Sequence, residues 1–77
     1  MKTIAQKRNI LLTRRHEIMV DLEKYQIQLN SRNRTQRKYA RKVLEALYLE
    51  LYYVNRDLQR LARRAFRKAS FQLIFAH

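Results

Sequence analysis

Five arginines, Arg56, Arg60, Arg63, Arg64 and Arg67, follow one another at steps of four, three, one and three. On a helix such steps gather the guanidinium groups on one face. A guanidinium is permanently charged, and its planar fork of N–H donors matches two oxygens of a phosphate where an ammonium acts as a point charge. A second basic block, Arg32, Arg34, Arg37, Lys38, Arg41 and Lys42, occupies residues 31–42 without a single acid. The chemistry these residue types suit is capture of a polyanion. The candidate nucleic-acid contacts are Arg32, Arg34, Lys38, Arg41 and Lys42 from one block and Arg56, Arg60, Arg63, Arg64 and Arg67 from the other.

Bond-making chemistry has no comparable basis. Catalysis needs a nucleophile with its base, a carboxylate pair in a pocket, or a metal. The chain has no cysteine, and its only histidines are His16 and His77. His16-Glu17 lacks the second histidine of a zinc-binding His-Glu-x-x-His helix, since position 20 is valine. His16 reads as a helix-surface residue. Glu17, Asp21 and Glu23 read as surface partners of Lys24 and nearby arginines. The expectation is a non-enzyme with no catalytic residue, no metal ligand and no cofactor.

The whole composition carries the same sign. Eighteen Lys and Arg stand against six Asp and Glu, a net charge of +12, and the two blocks at 31–42 and 56–77 hold eleven of those charges. The isoelectric point is near 11.0. Such a balance implies a polyanionic partner, most often nucleic acid. A basic helical face also suits an acidic protein groove or an anionic membrane surface, and a solvated face keeps a small protein soluble. An organelle transit segment is a further reading of Met1 to Arg15, which holds five cations and no acid, but the apolar pattern runs unbroken to Leu29. The densest apolar stretch, Val43 to Val54, contains Glu45 and Glu50 and falls short of the about 20 residues that span a bilayer.

What positions the cations must be helix. Gly and Pro are both absent from the 77 residues, which removes most tight hairpin turns and Gly-rich phosphate loops. Thr3 followed by Gln6 fits a capping box, so helix 1 begins at Ile4. Its apolar face runs Ile4, Leu11, Ile18, Leu22, Tyr25 and Leu29, interrupted by Arg8 and Arg15. Residues 30–35, Asn-Ser-Arg-Asn-Arg-Thr, hold only turn and cap formers and cations, which places the turn there with Asn33 or Thr35 capping helix 2. Helix 2 then carries Ala40, Leu44, Leu47, Leu51, Val54, Leu58, Leu61 and Ala65 at alternating steps of four and three, a coiled-coil seam. The phase holds across Asn55-Arg56-Asp57, favouring one helix to about Phe71 over a three-helix bundle.

A second line, Tyr48, Tyr52, Asn55, Gln59, Ala62, Phe66, Ala69 and Leu73, lies about 100° round the same helix. Helix 2 therefore has apolar surface for two neighbours. In an antiparallel hairpin Leu29 lies opposite Thr35 and Ile4 opposite about Arg60. Everything beyond Leu61 then overhangs by about 24 Å if helical, carrying Phe66, Phe71, Leu73, Ile74 and Phe75. A second copy or a different partner is expected to cover this surface, with Tyr48, Tyr52, Phe66 and Leu73 at the dimer or partner interface. The other reading is a tail folded back on its own hairpin.

The centres of the basic blocks, near Lys38 and Arg63, lie about 37 Å apart along a straight helix, close to the roughly 34 to 36 Å of one turn of B-form DNA. Base readout has weaker grounds: Asn30, Ser31, Asn33 and Gln36 read as turn and cap residues. Tyr53 and Leu49 lie between the blocks on the polar side, with Tyr53 placed either to stack on a base or to be buried by a partner.

These features specify an all-α antiparallel hairpin with a long second helix, forming a dimeric bundle or coiled coil from a single domain, residues 1–77 (helix 1 about 4–29, turn about 30–35, helix 2 about 36–71). The inferred architecture resembles that of dimeric basic hairpins that grip nucleic-acid duplexes, among them the plasmid-encoded RNA-binding Rop type and the nodaviral silencing-suppressor type. The likeness is of architecture, and no residue is carried over from it. The expected function is regulatory binding of duplex RNA or DNA through phosphates, in the cytoplasm or with the nucleoid or nucleus. Small size suits a phage, plasmid or viral accessory protein. The alternatives are an inhibitor docking its basic face on an acidic protein, or a subunit of a ribonucleoprotein or membrane-associated assembly.

Overall fold

A computed structural model describes the backbone of residues 1–75 and the side chains of residues 1–69. Two helices make up the fold: α1 (Ile4–Gln28) and α2 (Arg34–Phe75), packed as an antiparallel hairpin about 66 Å long and 18 by 16 Å in cross-section. Of the residues expected at the partner interface, the side chain of Leu73 lies outside the described residues. So do those of Phe71, Ile74 and Phe75 in the expected overhang, and His77.

Each helix starts where local hydrogen bonding dictates. At α1, the Thr3 hydroxyl accepts from the Gln6 backbone N–H at 3.1 Å, and the Gln6 side chain accepts from the Thr3 N–H at 2.9 Å. The reciprocal box satisfies two N–H groups that a helix start leaves unpaired. At α2, Asn33 Oδ1 accepts from the Thr35 N–H at 2.9 Å and the Asn33 carbonyl accepts from the Arg37 N–H at 3.1 Å. Asn33 is thus the cap, and α2 opens at Arg34. The turn closes without any positive φ, which a chain lacking glycine needs. Ser31 Oγ donates to Gln36 Oε1 at 2.6 Å and accepts from the Asn33 N–H at 3.2 Å, while Arg37 Nη1 donates to the Ser31 carbonyl at 2.8 Å.

The core is the single seam between the helices. Ile18, fully buried, and Leu22 from α1 meet Leu44, Leu47 and Val54 from α2, with Leu11, Tyr25, Leu29, Val43, Leu51 and Leu58 packed round them. All eight positions of the four-three seam are buried or half-buried except Ala65. Ala65 is exposed because α1 has ended: among the described residues, Leu61 is the last buried one of α2.

Register follows from pairs across the seam. Tyr25 and Tyr39 stack edge-on with ring centroids 6.1 Å apart, and Arg14 binds Glu50. Both pairs join residues whose numbers add to 64, which sets Ile4 opposite Arg60, as the antiparallel arithmetic requires. α2 runs through Asn55 without a break and on to Phe75, so it neither splits into a third helix nor folds back. No helix among the described residues is long and apolar enough to cross a membrane.

Candidate nucleic-acid interface

Hairpin packing gives the molecule two unlike sides. On one side α1 meets α2 through Arg14 and Glu50, and on the other Gln26 Nε2 donates to the Tyr48 hydroxyl at 2.8 Å. The Tyr48 side carries exposed aromatic rings. Tyr48, Tyr52 and Phe66 are all exposed there, Phe66 to 73% and Tyr52 to 63%. Beside them a groove of about 800 Å³ runs between the helices, floored by Leu12 and Leu58 and edged by Asn55, Gln59 and Ala62 of α2 and by two cations of α1, Arg8 and Arg15. Along the second line of α2, Tyr48 bonds Gln26 and Asn55, Gln59 and Ala62 edge the groove against α1, whereas Tyr52 and Phe66 stand exposed.

The Arg14 side is charged. Near the open end of the hairpin a groove of about 710 Å³ is walled by Arg60, Arg63, Arg64 and Arg67 of α2 and by Lys2 and Lys7 from the start of the chain. Its apolar surface comes from Ile10, Leu11 and Leu61, and it holds one acid, Asp57. The ion pairs among the described residues are Arg14 with Glu17, Arg14 with Glu50, and Arg56 with Asp57 at 3.8 Å. Arg60, Arg63, Arg64 and Arg67 are exposed, and no described carboxylate lies within ion-pair distance of them. Arg56 differs from them, because its guanidinium also lies over the Tyr53 ring, 4.9 Å from the centroid.

The first block sits at the closed end. Arg32 lies in the turn, Arg34 opens α2, and Lys38, Arg41 and Lys42 follow along its first turns, all exposed. Arg37 is half-buried, committed to the Ser31 carbonyl. The two blocks are not brought together. The unbroken α2 keeps Lys38 and Arg63 about 37 Å apart, and 25 residues amount to about seven turns, so both point to one side of the helix.

Tyr53 stacks edge-on against Tyr52, centroids 5.5 Å apart, and remains exposed with Leu49. Asn30, Asn33 and Gln36 are exposed and Ser31 half-buried, and Ser31, Asn33 and Gln36 are engaged in the turn and cap. His16 is exposed on α1.

Two contributions to the site are missed by spacing alone. Lys2 and Lys7 belong to neither basic block, although the register that sets Ile4 against Arg60 also sets Lys7 against Asp57. Glu50, in the sequence, only interrupts an apolar stretch. The Arg14 hydrogen bonds hold its carboxyl below the ordinary value of 4.5, and those from Glu50 and then Glu17 raise the Arg14 guanidinium further. The pair therefore stays charged, removes one cation from the charged side and leaves the groove cations as the uncompensated ones. Comparisons with protein-family models, curated proteins and solved structures find no match to this chain.

Proposed function

We propose that this protein binds nucleic-acid duplexes through their phosphates, as a homodimer that presents its cationic sides outward. The observation that carries the reading is the row Arg60, Arg63, Arg64 and Arg67, exposed on one side of a continuous helix without described acidic partners. A duplex presents phosphates about every 3.4 Å along each strand. Arg60 to Arg67 spans about 10.5 Å of helix, enough for several of them. The Lys38 block, about 37 Å away on the same side, reaches the backbone roughly one turn further along B-form DNA. Base readout is left out of the proposal, since Ser31, Asn33 and Gln36 are engaged in the turn and the start of α2. A binder of this kind acts by occupancy, covering a duplex against other factors.

Dimerisation belongs to the same proposal. The aromatic side offers Tyr48, Tyr52 and Phe66 together with the groove over Leu12 and Leu58, whose rim carries Arg8 and Arg15. A second copy seated there covers aromatic surface that water leaves unfavourable, and it leaves both charged grooves accessible. The direct test is binding of the purified protein to duplex RNA, duplex DNA and single strands at two salt concentrations. Duplex binding that weakens steeply with salt is expected. Stoichiometric capture of one acidic protein, with no affinity for any nucleic acid, would replace the reading with the protein-docking alternative.

A further inference from the structure

We infer that the strongest phosphate site is composite: Lys2 and Lys7, at the start of the chain, complete it together with Arg60, Arg63, Arg64 and Arg67, so that the folded hairpin, rather than α2 alone, grips one strand of the duplex backbone. The inference rests on the nucleic-acid reading above and concerns where on the molecule that binding is built. Six cations from two segments more than fifty residues apart in sequence wall one groove, against a single carboxylate. Cations repel one another, and a groove that assembles six of them is relieved by an anion that spans it. A phosphodiester strand suits the shape, since its charges recur along a line as the α2 arginines do. Its sugar edges meet the apolar surface of Ile10, Leu11 and Leu61 between the charged walls.

Asp57 gives the groove its one opposing charge. It is half-buried, and its carboxylate lies 3.8 Å from Arg56 Nε, outside the row of free arginines. A strand entering the groove passes close to it and is repelled. Removing that charge strengthens binding while leaving the set of cations on the strand as it was.

The test compares full-length variants on one short duplex across a salt series, with helicity checked by circular dichroism. Lys2→Gln with Lys7→Gln is expected to weaken binding and to reduce the slope of log affinity against log salt by about one to two units, at about 0.9 for each phosphate that is no longer neutralised. Lys24→Gln with Lys68→Gln removes the same charge from exposed positions outside both grooves, and is expected to change the slope by less than half as much. Asp57→Asn is expected to raise affinity several-fold with the slope unchanged. Equal losses in the two paired variants would overturn the composite site by reducing it to net charge. If the Lys2/Lys7 variant binds like the wild type while Arg60→Gln, Arg63→Gln and Arg67→Gln together lose affinity, α2 acts alone; the composite site then fails and the nucleic-acid reading stands. No loss in either would defeat both.

Discussion

Arg14 and Glu50, 36 residues apart in the chain, close a two-pronged bond across the hairpin, Nε donating to Oε1 at 2.6 Å and Nη2 to Oε2 at 2.7 Å. Parallel N–H···O bonds of this kind fix orientation as well as distance. A slip of one helical turn between α1 and α2 would separate them. The pair therefore reports the same register that places Lys7 beside Asp57 at the open end.

The pH dependence of that pair has a definite sign. Glu50 titrates below 4.5 in the folded chain because Arg14 binds its charged form, and near 4.5 when unfolded. Its contribution is complete above 4.5 and is lost as pH falls through the lowered folded value. Between about pH 6 and about pH 3 the wild type should lose more stability than Glu50→Gln, read as urea midpoints. Both side chains are about two-fifths exposed, so the difference is small and shrinks in salt. Parallel loss in the two proteins would remove any role for the pair.

Among the described residues, Ile18 is the one large side chain with no exposure at all. Ile18→Ala should cost about 2 to 5 kcal/mol, comparable to the whole stability that a core of this size supplies. Circular dichroism at 25 °C should show most of the helix signal gone. Ile27→Ala, at an exposed position of the same helix, should stay within about 0.5 kcal/mol of the wild type.

The two lines on α2 should separate folding from association. Leu51→Asp puts a charge into the intramolecular seam and should unfold the hairpin. Phe66→Asp should leave helicity intact and weaken self-association by about tenfold or more, as loss of an aromatic anchor does. Sedimentation at micromolar concentration distinguishes them. A wild-type monomer throughout that range would remove the homodimer from the account.

Much of this fold is legible in the sequence because helical spacing is a local property. The four-three steps from Ala40 to Leu61 mark the buried seam, and the run from Asn30 to Thr35 marks the turn. Those two observations fix the antiparallel register by arithmetic. Pairings that require the register to be applied to polar residues are not legible in the same way. Glu17 lies one turn from Arg14 and does bind it, at 3.1 Å, but Glu50 takes the two-pronged bond from 36 residues away. Lys2 and Lys7 have no spacing signal of their own, since they join the arginine row only when the chain returns on itself. Arg56 belongs to the row by spacing, but its ring and carboxylate neighbours, Tyr53 and Asp57, set it apart.

The central claim is that the Arg60 to Arg67 row binds duplex phosphates, and salt dependence measures it most directly. Neutralising a phosphate releases condensed cations, so each neutralised phosphate adds about 0.9 to the steepness with which log affinity falls against log salt on B-form DNA. Arg60, Arg63 and Arg67 replaced together by Gln keep similar helix propensity. The triple variant should remain folded, bind far more weakly, and show a slope shallower by about two to three units, with sequence preference unchanged. A folded triple variant with wild-type affinity and slope would contradict the account.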